Sequence, residues 1–365
     1  MGLKVRSLEM RSFRNFPERD LALGDGLTVL VGPNATGKTN SVEALQMLTS
    51  GASFRHPRAA DLIMDGAPGA RISARLEGDG RVIDVACEVG ERRRTFFRNG
   101  KKCRPADLSA TLMSVLFCPD DLSFVKRGAR WRRDELDAFG AEANGGFRKL
   151  AQAYAHAVEQ RNRLLKEDAP DLALLDAWDA SVAAGGATLL VARLKLFHRV
   201  RGHLREIYAQ VSGADQLDCA YECSLGELPG DPASPDRDAV RELFSARLAE
   251  ARPHDLRRQQ TSVGPQRDDI TFTLDGRDAR SFGSQGQQRS IVLAWKMAEV
   301  AIAEEVLGEK PLLLLDDVMS ELDASRRDAV TRFVQGGIQT VVTTTNLGYF
   351  PEALLEGAEV VRYGA

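Results

Sequence analysis

The strongest constraint on this chain is a glycine-bracketed turn, Gly32-Pro33-Asn34-Ala35-Thr36-Gly37-Lys38-Thr39, set between an apolar run and a helical pattern. Leu27 to Val31 reads as a buried strand and Ser41 to Leu48 as the helix that follows. That is the context the spacing G-x-x-x-x-G-K-[ST] requires. Gly32 and Gly37 let the backbone curl until successive N–H groups face one anion, and the helix N-terminus adds its positive end. The segment through Asn40 is therefore a cradle for phosphate, with ATP as the expected ligand. Lys38 is expected to reach the β- and γ-phosphates and the Thr39 hydroxyl to hold Mg²⁺.

The chain of 365 residues is long enough for two cores, and its 43% hydrophobic and 28% charged residues are ordinary for a water-exposed globular protein. A net charge of −3 means that nucleic acid could be held only by local basic patches. No apolar run reads as a membrane span, and Met1 to Arg6 leads into a strand-like segment without a signal-peptide core. The expected location is cytoplasmic, with no membrane partner. Cys87, Cys103, Cys118, Cys219 and Cys223 make no C-x-x-C pair and are expected to be reduced, mostly buried thiols.

Strand patterns dominate the N-terminal third: Val5 to Met10, Ala70 to Leu76, Val82 to Val89 and Arg94 to Arg98, with a hairpin turn at Asn99-Gly100. From about Ala138 to Val211 apolar residues recur at helical spacing, and Pro170 and Gly185-Gly186 predict that this region breaks into several helices. Gly226 to Asp236 reads as an exposed loop, and Ile270 to Ser281 as a second hairpin around Asp275-Gly276. The last third alternates helix and strand, which is α/β patterning. The expected organisation is an N-terminal ATPase part over residues 1–110, an inserted, largely helical arm over 111–261, and a C-terminal ATPase part over 262–365.

Pro311 to Leu315 is an apolar strand ending in Asp316 and Asp317. Asp316 is expected to join Thr39 in holding Mg²⁺, and Asp317 to orient or activate the attacking water, making Asp317 and Lys38 the candidate catalytic pair. Ser284-Gln285-Gly286-Gln287-Gln288 opens a long helical segment, where backbone amides can form an anion site, and Ser320-Glu321-Leu322-Asp323 follows the carboxylates. Each is weak alone, but their order resembles an ABC-type ATPase head: phosphate loop, signature, Walker B carboxylates, D-loop. In that superfamily the signature of one subunit closes over the nucleotide of the other. The resemblance therefore implies an ATP-gated homodimer in which Ser284, Gly286 and Gln287 act on the partner's nucleotide.

The likeness extends to a family. Ser12-Phe13-Arg14-Asn15-Phe16, Gly32 to Glu43, Ser53-Phe54-Arg55, Phe117 to Leu122, Arg132 to Asp137, Ser262 to Asp269 and Leu314 to Asp323 resemble, in order, the sequence elements of the RecF family. Gln266 stands where that family usually has His, and Asp120-Asp121 where it has Glu-Asp. No transporter-type switch histidine follows the strand to Val342, where Thr345 and Asn346 are the candidates facing the γ-phosphate. The resemblance implies a weak, DNA-stimulated ATPase acting as a switch. It implies binding to duplex DNA beside single-stranded gaps, cooperation with RecR and RecO in loading RecA, and a part in gap repair, replication restart and the SOS response.

Candidate phosphate contacts are Arg92, Arg93, Arg94 and Arg98, then Lys101, Lys102 and Arg104, then Lys126, Arg127, Arg130, Arg132 and Arg133. Trp131 reads as a buried residue. The alternatives are another SMC-like or ABC-type head: a transporter subunit, disfavoured by the missing switch histidine, or a chromosome-organising protein, disfavoured by the lack of sustained heptads.

Overall fold

The computed structural model describes residues 2–212 and 215–364, so Met1 and Ala365, the outer limits of the expected N- and C-terminal ATPase parts, lie outside the described residues. It divides into two compact units: residues 1–122 with 295–365, and residues 123–294.

The first unit contains two sheets. A five-stranded parallel sheet has the order β14-β3-β13-β12-β8, formed by β3 (Leu27–Val31), β8 (Ser114–Phe117), β12 (Leu312–Asp316), β13 (Thr340–Thr344) and β14 (Glu359–Arg362). Strands β3, β8, β12 and β13 are buried at every residue, as expected for parallel strands covered on both faces. The other sheet is antiparallel: β1 (Lys4–Phe13), β2 (Phe16–Ala22), β4 (Ala70–Gly78), β5 (Arg81–Val89), β6 (Arg94–Arg98) and β7 (Lys101–Cys103), in the order β2-β1-β4-β5-β6-β7. Here buried and exposed residues alternate, because one face meets the core and the other meets water. Helix α1 (Lys38–Ser50) packs against strands of both sheets, and one apolar cluster joins them through Val42, Leu45 and Leu48. The turn at Asn99-Gly100 has both residues at positive φ (49° and 72°), the conformation of a two-residue hairpin turn. Short helices α2 (Pro105–Ser109) and α10 (Glu352–Leu355) and helix α9 (Ala324–Gln335) complete this unit.

The second unit holds α3 (Ala129–Ala143), α4 (Phe147–Leu164), α5 (Leu172–Ser212), α6 (Arg237–Arg258) and α7 (Ala279–Phe282). It also holds a three-stranded sheet of β9 (Leu217–Glu222), β10 (Asp269–Leu274) and β11 (Arg277–Asp278). Helix α8 (Gln285–Leu307) begins here, and the division falls within it. These limits differ from the expected 110/111 and 261/262. Strand β8 is hydrogen-bonded to β12, which draws residues 114–117 into the ATPase unit, and β10 pairs with β9, which draws residues 269–274 towards the helices.

Two expectations need correction. Gly185-Gly186 does not break the helical region, because α5 runs unbroken through both for 41 residues. A Cβ on Gly186 would overlap the Phe244 ring and lie 2.8 Å from Tyr154 Cε2, so the glycine is there to let α4 and α6 approach. The same helix also contains a window of mean hydropathy 1.4, long and apolar enough to span a membrane by composition. In the fold that stripe is core: Val182, Ala183, Ala187 and Leu190 are completely buried against α4 and α6.

Close packing at Gly186 and open space at Gly202, also in α5, make opposite demands on a methyl group. Gly186→Ala is expected to destabilise the fold by about 1–3 kcal/mol through overpacking. Gly202→Ala is expected to stabilise it by about 0.5–1 kcal/mol through helix propensity. Denaturant midpoints of the two variants measure this directly; equal shifts in one direction would contradict the packing argument.

Candidate nucleotide site

The phosphate loop leaves the carboxyl end of β3 and enters α1 at Lys38, which is where open α/β sheets place their ligands. Gly37, at φ 99°, is enclosed: a Cβ there would overlap the Phe16 ring and lie 2.8 Å from Asn15 Oδ1. Lys38 Nζ donates to the carbonyls of Gly32 (2.6 Å) and Pro33 (2.7 Å), which folds the lysine over its own loop. Burial holds the Lys38 ammonium below its ordinary pKa, while Asp317 and Asp316 oppose that shift. Asn34, Ala35, Gly37, Lys38, Thr39 and Asn40 line a cleft of about 190 Å³ together with Arg55, Asp317 and Thr343.

Strand β13 lies between β3 and β12, and its register sets Thr343 beside both Leu30 and Asp316. The Asp316 carboxylate is thereby tied from two sides. Its Oδ1 accepts from Thr39 Oγ1 at 2.9 Å and from Thr343 Oγ1 at 2.8 Å. Burial raises the Asp316 pKa, and those two hydroxyls pull it back. Asp317 follows in the left-handed region (φ 52°), with its N–H donating to Thr343 Oγ1 at 2.9 Å. Its Oδ1 is buried and has no hydrogen-bond partner. Burial, and then the neighbouring Asp316 charge, raise its pKa. The Thr39 hydroxyl and the Asp316 carboxylate are hard oxygen donors, a set that suits Mg²⁺ completed by phosphate oxygens and water.

A second layer carried no assigned role in the sequence. Glu43, fully buried on α1, receives Arg14 in a bidentate pair (3.0 and 2.7 Å) and the Ser53 hydroxyl at 2.6 Å. Arg55 donates to Asn40 Oδ1 at 2.8 Å and reaches Glu43 at 3.4 Å. The Ser-Phe-Arg-Asn and Ser-Phe-Arg segments are thus the clamps on α1, and the available signal was a charged residue, Glu43, inside an apolar helical stripe.

The remaining candidates are placed as follows. Ser284 caps α8: its Oγ accepts from Gln287 N–H at 3.2 Å, while its own N–H donates to Gln287 Oε1 at 2.8 Å, a reciprocal capping box. Gln287 also donates to Asp215 at 2.8 Å, and Gly286 is half-buried. These residues belong to the second unit and the phosphate loop to the first. Asp323 caps α9 by accepting from Arg326 N–H at 3.0 Å. The Asn346 side chain accepts from Gly348 N–H at 2.8 Å, while Thr345 is exposed. Gln266 accepts from the Tyr154 hydroxyl and donates to the Val263 carbonyl at 2.9 Å, and Asp121 accepts from Cys118 N–H at 2.8 Å. Gln266, a departure from the family pattern, therefore has a structural task, and so does Asp121 beside the departing Asp120.

Among the basic clusters the structure discriminates sharply. Arg132 is buried in a bidentate pair with Asp269 (2.8 Å for each bond), and Arg133 donates to the Asp268 carbonyl. Arg132 is therefore not a surface contact for DNA, contrary to expectation, while Arg133 is half-buried. The planar guanidinium and the facing carboxylate form an internal fork, which sequence composition does not reveal. Trp131 is half-buried, with the Arg127 guanidinium stacked 3.7 Å from its ring centroid, and is not the core residue expected.

Residues 4–361 match the family model of the RecF/RecN/SMC N-terminal domain. The chain is 36% identical to the DNA replication and repair protein RecF of Heliobacterium modesticaldum, covering all of this chain and 98% of that one. It is 38% identical to RecF of Myxococcus xanthus, over 94% of this chain and 91% of the relative. A solved structure of the recombination mediator protein RecF-ATPrS in the RecFOR pathway superposes with a TM-score of 0.88 at 28% identity, covering 96% of this chain and 94% of that one. With an α/β ABC-type head and a helical arm region, this chain belongs to the RecF family of DNA replication and repair proteins.

Proposed function

We propose that the chain is an ATP-gated switch on DNA. The observation that carries this reading is the meeting of Lys38, Thr39 and Asp317 around one cleft, with Asp316 hydrogen-bonded to Thr39 and a buried Asp317 oxygen left unpartnered. Residues Gly32 to Asn40 hold the phosphates, and Lys38 turns from its two carbonyls to the β- and γ-oxygens. Thr39 and Asp316 hold Mg²⁺, which neutralises developing phosphate charge when bound. Asp317, its pKa raised by burial and by Asp316, orients the attacking water and accepts its proton. The capping box at Ser284 and Gln287, with Gly286, acts on the nucleotide of a second copy, so that ATP closes a homodimer. The closed dimer binds duplex DNA beside a single-stranded gap, works with RecR and RecO to load RecA, and is released by slow, DNA-stimulated hydrolysis. These events belong to gap repair, replication restart and SOS induction in the cytoplasm.

Sedimentation with ATP, ADP or no nucleotide tests the gate. ATP alone is expected to double the mass of the wild type, and Asp317→Asn is expected to remain dimeric while losing about 10²–10⁴-fold in hydrolysis. Lys38→Met should stay monomeric throughout. A mass insensitive to ATP in both wild type and Asp317→Asn would rule out the sandwich.

The two raised carboxyls also predict a pH effect on the nucleotide-free protein. A carboxyl whose folded pKa lies above its unfolded value binds protons more readily in the fold, so stability falls as pH rises from the ordinary carboxylate range through the raised values. Asp317→Asn, whose amide tolerates positive φ, is therefore expected to melt higher than wild type at neutral pH, with the gap closing in acid. Thermal scans against pH measure it; a gap that widens in acid would reverse the assignment.

A further inference from the structure

The antiparallel sheet ends at the short edge strand β7, and the chain from Glu91 to Arg104 carries seven Lys or Arg residues against the single acid Glu91. Two of the seven have internal tasks. Arg94 donates to the Pro57 carbonyl, and Arg104 pairs with Asp107 at 2.9 Å. The other five, Arg92, Arg93, Arg98, Lys101 and Lys102, are exposed. Arg92 and Arg93 sit at the turn entering β6, while Arg98 and Lys101 face each other in register across the turn leaving it. Like charges directly opposed across strands destabilise a hairpin. Arg98 lies within electrostatic reach of Asp107, but that carboxylate is already engaged by Arg104. Lysines on an edge strand also discourage strand addition, but that task asks nothing of Arg92, Arg93 or Arg98.

We propose that the β6–β7 edge is a track for the phosphate backbone of duplex DNA. The proposal rests on the DNA-binding reading given above and names the surface that carries it. At about 3.3 Å per residue the five residues of β6 span roughly 17 Å. Each strand of duplex DNA presents one negative charge per about 3.4 Å of axis, so the track faces on the order of five phosphates of one strand and has cations at both of its ends. The elsewhere acidic balance of the chain, −3 overall, makes this local excess a specific address for a polyanion.

The test uses the full chain with ATP and Mg²⁺, a labelled gapped duplex, and salt titrated over roughly 50–200 mM. The Arg98→Gln/Lys101→Gln/Lys102→Gln variant is expected to weaken binding about tenfold or more at the higher salt, and to flatten the slope of log K against log salt by about 2–3. Its ATP-induced thermal shift and sedimentation should match wild type, showing an intact fold and nucleotide site. Arg71→Gln/Arg75→Gln, whose arginines pair with Glu88 and Asp84 on the same sheet, should bind DNA as wild type does. The proposal fails if the triple variant keeps wild-type affinity and slope, or if the control loses as much. It also fails if the triple variant loses binding only to phosphatidylserine vesicles. If wild type binds DNA with ATP but the triple variant is unaffected, the switch reading stands without this surface; if wild type shows no ATP-dependent DNA binding, both readings fall.

Discussion

One carboxylate oxygen, Asp316 Oδ1, ties the nucleotide end of the ATPase unit together. It accepts hydroxyls from Thr39, at the start of α1, and from Thr343, at the end of β13. A carboxylate that is 5% exposed is expensive to leave without partners, and each hydrogen bond to a charged group returns about 1.5–3 kcal/mol. These two bonds also fix geometry. They join the ends of β12 and β13 to the start of α1, so the phosphate loop and the paired carboxylates are held together across the parallel strands β3, β13 and β12.

The rotation of α1 depends on a second buried carboxylate. Glu43 is fully enclosed and draws Arg14, Ser53 and Arg55 onto one side of the helix, while Val42, Leu45 and Leu48 fill the core shared by both sheets. A buried ion pair adds little net stability compared with an apolar replacement, but removing one partner leaves a costly charge. Its value here is positional: Asn40 and Arg55, both lining the nucleotide cleft, are bonded to each other next to that pair.

Much of this was legible because the signals are local. The glycine spacing of the phosphate loop, the all-apolar β12 with its terminal carboxylates, and the Asn99-Gly100 turn each depend on backbone conformations that only certain residues adopt. Where the reading failed, a distant neighbour decided. Gly185-Gly186 looks like a helix break until Phe244 and Tyr154 are seen to need the space above Gly186. Arg132 looks like part of a basic surface until Asp269 receives it in a buried fork.

By itself the sequence determined the chemical character of the candidate site: a glycine-bracketed turn with a lysine and a hydroxyl, and an apolar strand that ends in two carboxylates. Those properties follow from residue type and short-range spacing. Only the tertiary structure decided which charges are surface and which are internal, and how residues 277 apart, Thr39 and Asp316, come to share a hydrogen bond. The physical reason is that burial and pairing are properties of contacts between distant segments. The same arginine is a free cation or half of a buried fork according to what folds against it.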